Sequence, residues 1–133
     1  MGDLNPQGVP LILGGEERHL LFTLNAIDEI QSKFGVPLEE AMNQLVERKT
    51  LEERKIANGA LKSMIQILLN DEVERLGHKG GECGLKPVDE KEAGWMLTNS
   101  NMTEALIAVI KAYGGSLPEP DEDEDPNQTG GQQ

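Results

Sequence analysis

Cysteine is almost missing from this chain. Cys83 is the only one in 133 residues, so no disulfide forms within the chain and packing alone has to hold the fold. A reducing cytoplasm is the compartment such a chain suits. Aromatic residues are nearly as scarce. Phe22, Phe34, Trp95 and Tyr113 are the whole set, so the core is expected to be built from Leu, Ile, Val, Met and Ala. Long apolar runs are missing too. No stretch reaches the roughly 18 residues a transmembrane helix requires. The opening Met1-Gly2-Asp3-Leu4-Asn5-Pro6 has neither the basic region nor the apolar stretch of a signal peptide. Pro6 also stands where a myristoylation motif needs Ser or Thr. Positive charge is outnumbered two to one, 12 basic residues against 24 acids, for a net charge of −12. That balance argues against binding nucleic acid, whose phosphates need clustered Lys and Arg, and against anionic membranes.

The excess of acid is uneven. Residues 115–133 hold Glu119, Asp121, Glu122, Asp123, Glu124 and Asp125 and no base, which leaves 18 acids against 12 bases in the remainder. With Pro118 and Pro120 among them, these residues cannot bury enough apolar surface to fold. The reading is a flexible N-terminus over 1–8, one domain over 9–114 and a disordered acidic tail over 115–133.

Within the domain the apolar period changes once. Residues 9–13 and 19–24 are two short apolar runs separated by Gly14-Gly15-Glu16-Glu17, which predicts a β-hairpin. From Leu24 the period becomes helical: Leu24, Ile27, Ile30 and Phe34 share a face, with Thr23 or Asn25 to cap it and Gly35 to close it. Pro37 opens a second helix with Leu38, Ala41, Met42, Leu45 and Val46 on its stripe. Thr50 and Glu53 have the spacing of a capping box. The helix they start carries Ile56, Ala60, Leu61, Met64, Ile65, Leu68 and Leu69 and is expected at the centre of the core. Gly59 within it marks a close helix approach or a bend. Four glycines between 77 and 84 predict a loop. Asp89 with Glu92 caps a short helix bearing Trp95, Met96 and Leu97. A last helix over about 101–113 places Met102, Leu106, Val109, Ile110 and Tyr113 on one stripe, with Gly114-Gly115 ending it. The fold class is thus α+β, mostly α: an N-terminal β-hairpin packed on a bundle of four to five helices.

Residues that could carry chemistry give little. His78, Glu82 and Cys83 have ligand-type side chains, but there is no CxxC, and His19 is the only other histidine, so they read as polar residues of a loop rather than a metal site. The stretch 77–81 is Gly-rich with one lysine, but lacks the GxxxxGK[ST] spacing of a phosphate loop. The carboxylate pairs Glu39-Glu40, Glu52-Glu53 and Asp71-Glu72 fall on expected solvated helix faces or ends, whereas general acid–base chemistry needs carboxylates held in a cleft. The expectation is no enzyme, no cofactor and no metal. Methionines at helical spacing are core residues first, but they also make adaptable binding surfaces. Met42, Leu45, Met64, Leu68, Met96, Met102 and Leu106 are therefore the candidate apolar face for a partner.

Residues 9–45, VPLILGGEERHLLFTLNAIDEIQSKFGVPLEEAMNQL, carry a resemblance. A strand, a Gly-containing acidic turn (Gly14-Gly15-Glu16-Glu17), a second strand ending in Leu21-Phe22, and a helix with Glu29-Ile30 closing on Phe34-Gly35 together resemble the opening of the tail assembly chaperones of long-tailed bacteriophages, prophages and gene transfer agents. The long aliphatic helix after Thr50 extends the likeness to about residue 70. The resemblance implies a non-enzymatic scaffold that binds the tape measure protein and tail tube subunits before the tail polymerises, in the bacterial host cytoplasm. From the charge alone, the alternative is an acidic regulatory or inhibitory protein, a nucleic-acid mimic that occupies a basic partner.

Overall fold

The chain's structure is a computed structural model that describes residues 8–78 and 84–117. Two strands, β1 (Val9–Leu13) and β2 (Glu16–Leu20), precede five helices: α1 (Leu24–Phe34), α2 (Leu38–Val46), α3 (Leu51–His78), α4 (Glu90–Met96) and α5 (Met102–Ser116). The hairpin packs on the helices, as the change of period predicts.

The turn of the hairpin is shorter than its sequence suggests. Only Gly14 and Gly15 form it, with φ of 59° and 80°, the two left-handed residues a tight two-residue turn requires. Leu13 therefore pairs with Glu16, and Val9 with Leu20. Glu16 and Glu17 belong to β2, not to the turn, and β2 stops at Leu20 instead of reaching residue 24. Register decides which side chains face inward. Here it sends Leu11, Leu13, Arg18 and Leu20 into the core, so an arginine occupies a strand position among leucines. The entry to β1 is equally fixed. Gly8 has φ of 105°, and a Cβ there would lie 2.5 Å from the Leu20 carbonyl oxygen. Gly8 is thus part of the packed structure and not of the flexible segment expected over 1–8; residues 1–7 lie outside the described residues.

The helix ends follow their capping chemistry. Thr23 Oγ1 accepts from the Ala26 amide at 3.1 Å, and Gly35 closes α1 in the left-handed conformation. The Glu53 amide donates to Thr50 Oγ1 at 3.0 Å while the Thr50 amide donates back to Glu53 Oε1 at 3.2 Å. Asp89 and Glu92 make the same reciprocal pair at the start of α4. Each box satisfies amides that a helix start leaves without partners.

Helix α3 is the central element. It runs ~42 Å at 1.5 Å per residue, and from Ala57 to Glu72 it is buried on nearly every side. Asn58, Lys62, Gln66 and Asn70, four residues apart, and Gly59 beside them break this burial. That stripe faces the segment leading into α4. The Asn70 carboxamide accepts from the Val88 amide at 2.7 Å and donates to the Val88 carbonyl at 2.8 Å, so one side chain pairs an irregular backbone segment. Helices α1, α2 and α4 pack around α3, β2 lies against its C-terminal half, and α5 lies along β1. An edge-to-face contact of Phe22 with Tyr113, 6.2 Å between centroids, joins the end of the hairpin to α5.

Several expected core positions are on the surface. Ile56, Leu24, Val46 and Ile110 are exposed, and so is Trp95. For α5 the buried face is Ala105, Ala108, Val109 and Ala112, rotated from the expected stripe toward smaller side chains. Alanines let a helix lie close against β1, and Ile110 is turned outward as a result. Gly59 has nothing within 4 Å of its Cβ position, so no neighbour approaches it there. Helix α3 continues through Gly77 to His78, into the expected loop, and α5 continues through Gly114 and Gly115 into the expected tail. Helix α5 stops at Leu117, extended at φ −78° and ψ 150°, because the residue before a proline is disfavoured in the helical region. Glu82, Cys83 and the acidic run of residues 119–125 lie outside the described residues.

This packing sets a clear contrast. Leu68→Ala or Ile65→Ala, each at a fully buried position of α3, should cost about 2–5 kcal/mol. Ile56→Ala on the same helix, 48% exposed, should cost about 1 kcal/mol or less. Urea denaturation followed by far-ultraviolet circular dichroism checks this; similar losses at all three positions would contradict the central placement of α3.

Candidate functional site

The methionine-bearing face expected to meet a partner does not form one surface. Met42, Leu45, Met64 and Leu68 are core residues, exposed by no more than 7%. Met96, Met102 and Leu106 are partly buried against that core. The same aliphatic periodicity describes a core stripe and a binding stripe, and here α2, α3 and α5 use it on one another.

The open apolar surface lies elsewhere, where β1 meets α5. A groove of about 440 Å³ is lined by Val9, Pro10, Leu11 and Ile12 of β1, Glu17 of β2, and Glu104, Ile107, Ala108 and Lys111 of α5. Ile12 is 68% exposed and Ile107 48% exposed, on opposite walls. The spacing of Glu104, Ile107, Ala108 and Lys111 keeps all four on one side of α5. The hairpin supplies the other wall through its register. Leu13 and Glu16 flank a two-residue turn and so share ladder hydrogen bonds, as do the alternate pairs beyond them. The backbone groups of Pro10 and Ile12 then point away from β2, along the groove. Among the described residues β1 has no strand neighbour other than β2. Proline at position 10 donates no hydrogen bond from this edge, which is where strands tolerate it. The sequence signal for the site was Ile12, outward-facing between two inward leucines; it reads as an ordinary member of an apolar run until the register is known.

The titratable groups make structure. The Arg18 Nε donates to Glu72 Oε1 at 2.9 Å, with the two side chains 1% and 3% exposed, and Arg18 Nη2 donates to the Leu69 carbonyl at 3.2 Å. Glu72 Oε2 accepts from the His19 amide at 3.2 Å and lies 3.3 Å from His19 Nδ1. Asp71 Oδ2 accepts from Thr23 Oγ1 at 3.0 Å and from Arg75 Nε at 3.2 Å. The pair Asp71-Glu72, expected on a solvated face, is buried, and arginines, a histidine and a threonine reach it from β2, the N-cap of α1 and α3 itself. These carboxylates are spent on holding the hairpin to α3. Glu39-Glu40 is exposed, and Glu53 caps α3. No group of three or more potential metal ligands occurs among the described residues, and none of the described helices is long and apolar enough to cross a membrane.

Compared with protein-family models, with curated proteins and with solved structures, the chain matches none.

The buried ion pair generates its own test. Removing one partner leaves a charge without compensation in the core, so Arg18→Met alone or Glu72→Leu alone should cost about 3–5 kcal/mol. The double variant Arg18→Met with Glu72→Leu removes both charges and keeps the volume, and should lose markedly less than the two single losses added together. Equilibrium denaturation of the four proteins checks this, and strict additivity would mean that the two side chains do not act as a pair.

Proposed function

We propose that this chain is a tail assembly chaperone of a long-tailed bacteriophage or prophage. It acts without catalysis in the host cytoplasm and binds an apolar segment of the tape measure protein, or tail tube subunits, before the tail polymerises. The observation that carries this reading is the groove between β1 and α5, open, flanked by exposed isoleucines and bordered by a strand edge that no other described strand pairs. Such a groove suits a chain segment with alternating or helical apolar residues. The resemblance of residues 9–45 to the opening of that family supplies the identity of the client. The net charge of −12 supports the role from another side, because a charged carrier keeps a complex with an aggregation-prone client dispersed.

The test is co-expression with the tape measure protein of the same tail-gene cluster. The chain should hold that protein in the soluble fraction. Ile12→Asp and Ile107→Asp change exposed positions, so each should leave stability within about 1 kcal/mol while weakening the complex about tenfold or more through a charge placed in an apolar contact. Binding that rests on apolar burial should change little between low and moderate salt. Loss of the complex over that range would instead favour an acidic protein that occupies a basic partner. An insoluble tape measure protein beside a folded chain would remove the chaperone reading.

A further inference from the structure

A second pocket, which shares no residue with the groove, has the opposite character. It measures about 310 Å³ and is lined by Arg48, Arg54, Asn58, Asn99 and Met102. Neither arginine makes an ion pair with any described residue, in a chain where acids outnumber bases two to one. Five of the chain's twelve basic residues, Arg48, Lys49, Arg54, Lys55 and Lys62, fall between positions 48 and 62. Lys62 lines an adjoining pocket of about 290 Å³ that shares Asn58, Asn99 and Met102.

The acceptors at this pocket are largely taken, and mostly donors are left. Arg48 Nε donates to the Leu45 carbonyl at 3.0 Å, closing the last turn of α2, and Arg48 Nη1 donates to Asn58 Oδ1 at 2.9 Å. An arginine has no acceptor, so the Asn58 carboxamide must present its oxygen to Arg48 and its NH₂ elsewhere. Arg54 Nε donates to the Arg48 carbonyl at 2.8 Å, leaving both Nη groups of an exposed guanidinium. Of the glutamates next to these arginines in sequence, Glu53 has its Oε1 engaged by the amides of Lys49 and Thr50, and Glu47 pairs with neither arginine; no acidic residue lines the pocket. Arg48, Arg54 and Asn58 therefore line one pocket that holds no carboxylate, and Arg48 Nη2 is buried there without a hydrogen-bond partner among the described residues. Like charges side by side destabilise each other, and a species that only accepts hydrogen bonds removes that repulsion while meeting every donor.

We infer that the pocket formed by Arg48, Arg54, Asn58 and Asn99 is an oxyanion-binding site for a carboxylate or phosphate group. Two sources carry that chemistry: a free phosphate, or the carboxylates of the chain's own acidic run, residues 119–125. The site stands independently of the chaperone reading, since it shares no residue with the β1–α5 groove.

The experiment uses the full chain labelled with nitrogen-15. Sodium phosphate is titrated against sodium chloride at matched ionic strength, and the side-chain resonances of Arg48 Nε, Arg54 Nε, Asn58 and Asn99 are followed. Phosphate should give saturable shifts confined to these groups and the adjoining backbone, with chloride giving none. Arg54→Gln, at an exposed position, should raise the phosphate dissociation constant about tenfold through loss of one charge-assisted contact, with the rest of the spectrum unchanged. A second full-length chain carries Glu119→Gln, Asp121→Asn, Glu122→Gln, Asp123→Asn, Glu124→Gln and Asp125→Asn. If the acidic run supplies the oxyanion, the pocket resonances of this chain differ from the parent before any phosphate is added, and phosphate binds it more tightly. If the source is a free phosphate, the two chains coincide throughout. Shifts that chloride reproduces at equal ionic strength, or no saturable shift in either chain, would overturn the site.

Discussion

A two-stranded hairpin has too little apolar surface to stand alone in water, and in this protein one buried ion pair anchors it. Arg18 reaches from the inner face of β2 to Glu72 near the end of α3, and Glu72 in turn takes the His19 amide on the outer edge of the same strand. One carboxylate thus grips both a side chain and the backbone of the hairpin. Desolvating two charges is expensive, and such a pair is tolerable only when the remaining hydrogen-bonding capacity is filled. The Leu69 carbonyl, on the Arg18 side, and His19, on the Glu72 side, take up part of it here. The groove depends on this arrangement, because the strand edge and Ile12 face α5 only while β2 stays in register on α3.

Much of the architecture was legible in the residues, and the failures share a cause. Helix starts were clear because Thr23, Thr50 with Glu53, and Asp89 with Glu92 act through local hydrogen bonds that spacing alone reveals. The central place of α3 was clear because apolar residues dominate its middle. What could not be read was anything set by a partner distant in sequence. Arg18 fell between the expected turn and the second apolar run, and Glu72 looked like a solvated acid, because each is explained only by the other across more than fifty residues. The exposed face of α5 was misplaced for the same reason: β1 selects the alanine side, and helical periodicity offers the isoleucine side equally well.

The candidate binding surface shows this limit from the functional side. A run such as Leu11-Ile12-Leu13 has two faces, and only the two-residue turn at Gly14-Gly15 decides that Ile12 is the one left in solvent. Of the expected methionine face, Met42, Leu45, Met64 and Leu68 are folded into the molecule's own interior, and Met96, Met102 and Leu106 are only partly buried. Arg48 and Arg54 were passed over because no spacing rule flags two arginines six positions apart; they become a unit only where the α2–α3 junction turns one back on the carbonyl of the other.

The hairpin is made well before the helix that comes to lie beside it. Helix α5 lies along β1, and Tyr113 meets Phe22 edge-on, so the hairpin's outer neighbour arrives some ninety residues later in synthesis. Contacts between residues so far apart in sequence form late and slow the search for the native state. While the chain is still emerging from the ribosome, Glu72 and the body of α3 can receive the hairpin on one side, but β1 has no α5 beside it. A nascent molecule therefore carries β1 without α5 beside it for as long as translation takes to supply the last helix, and in that interval the edge is open to pairing along its whole length rather than only within the groove.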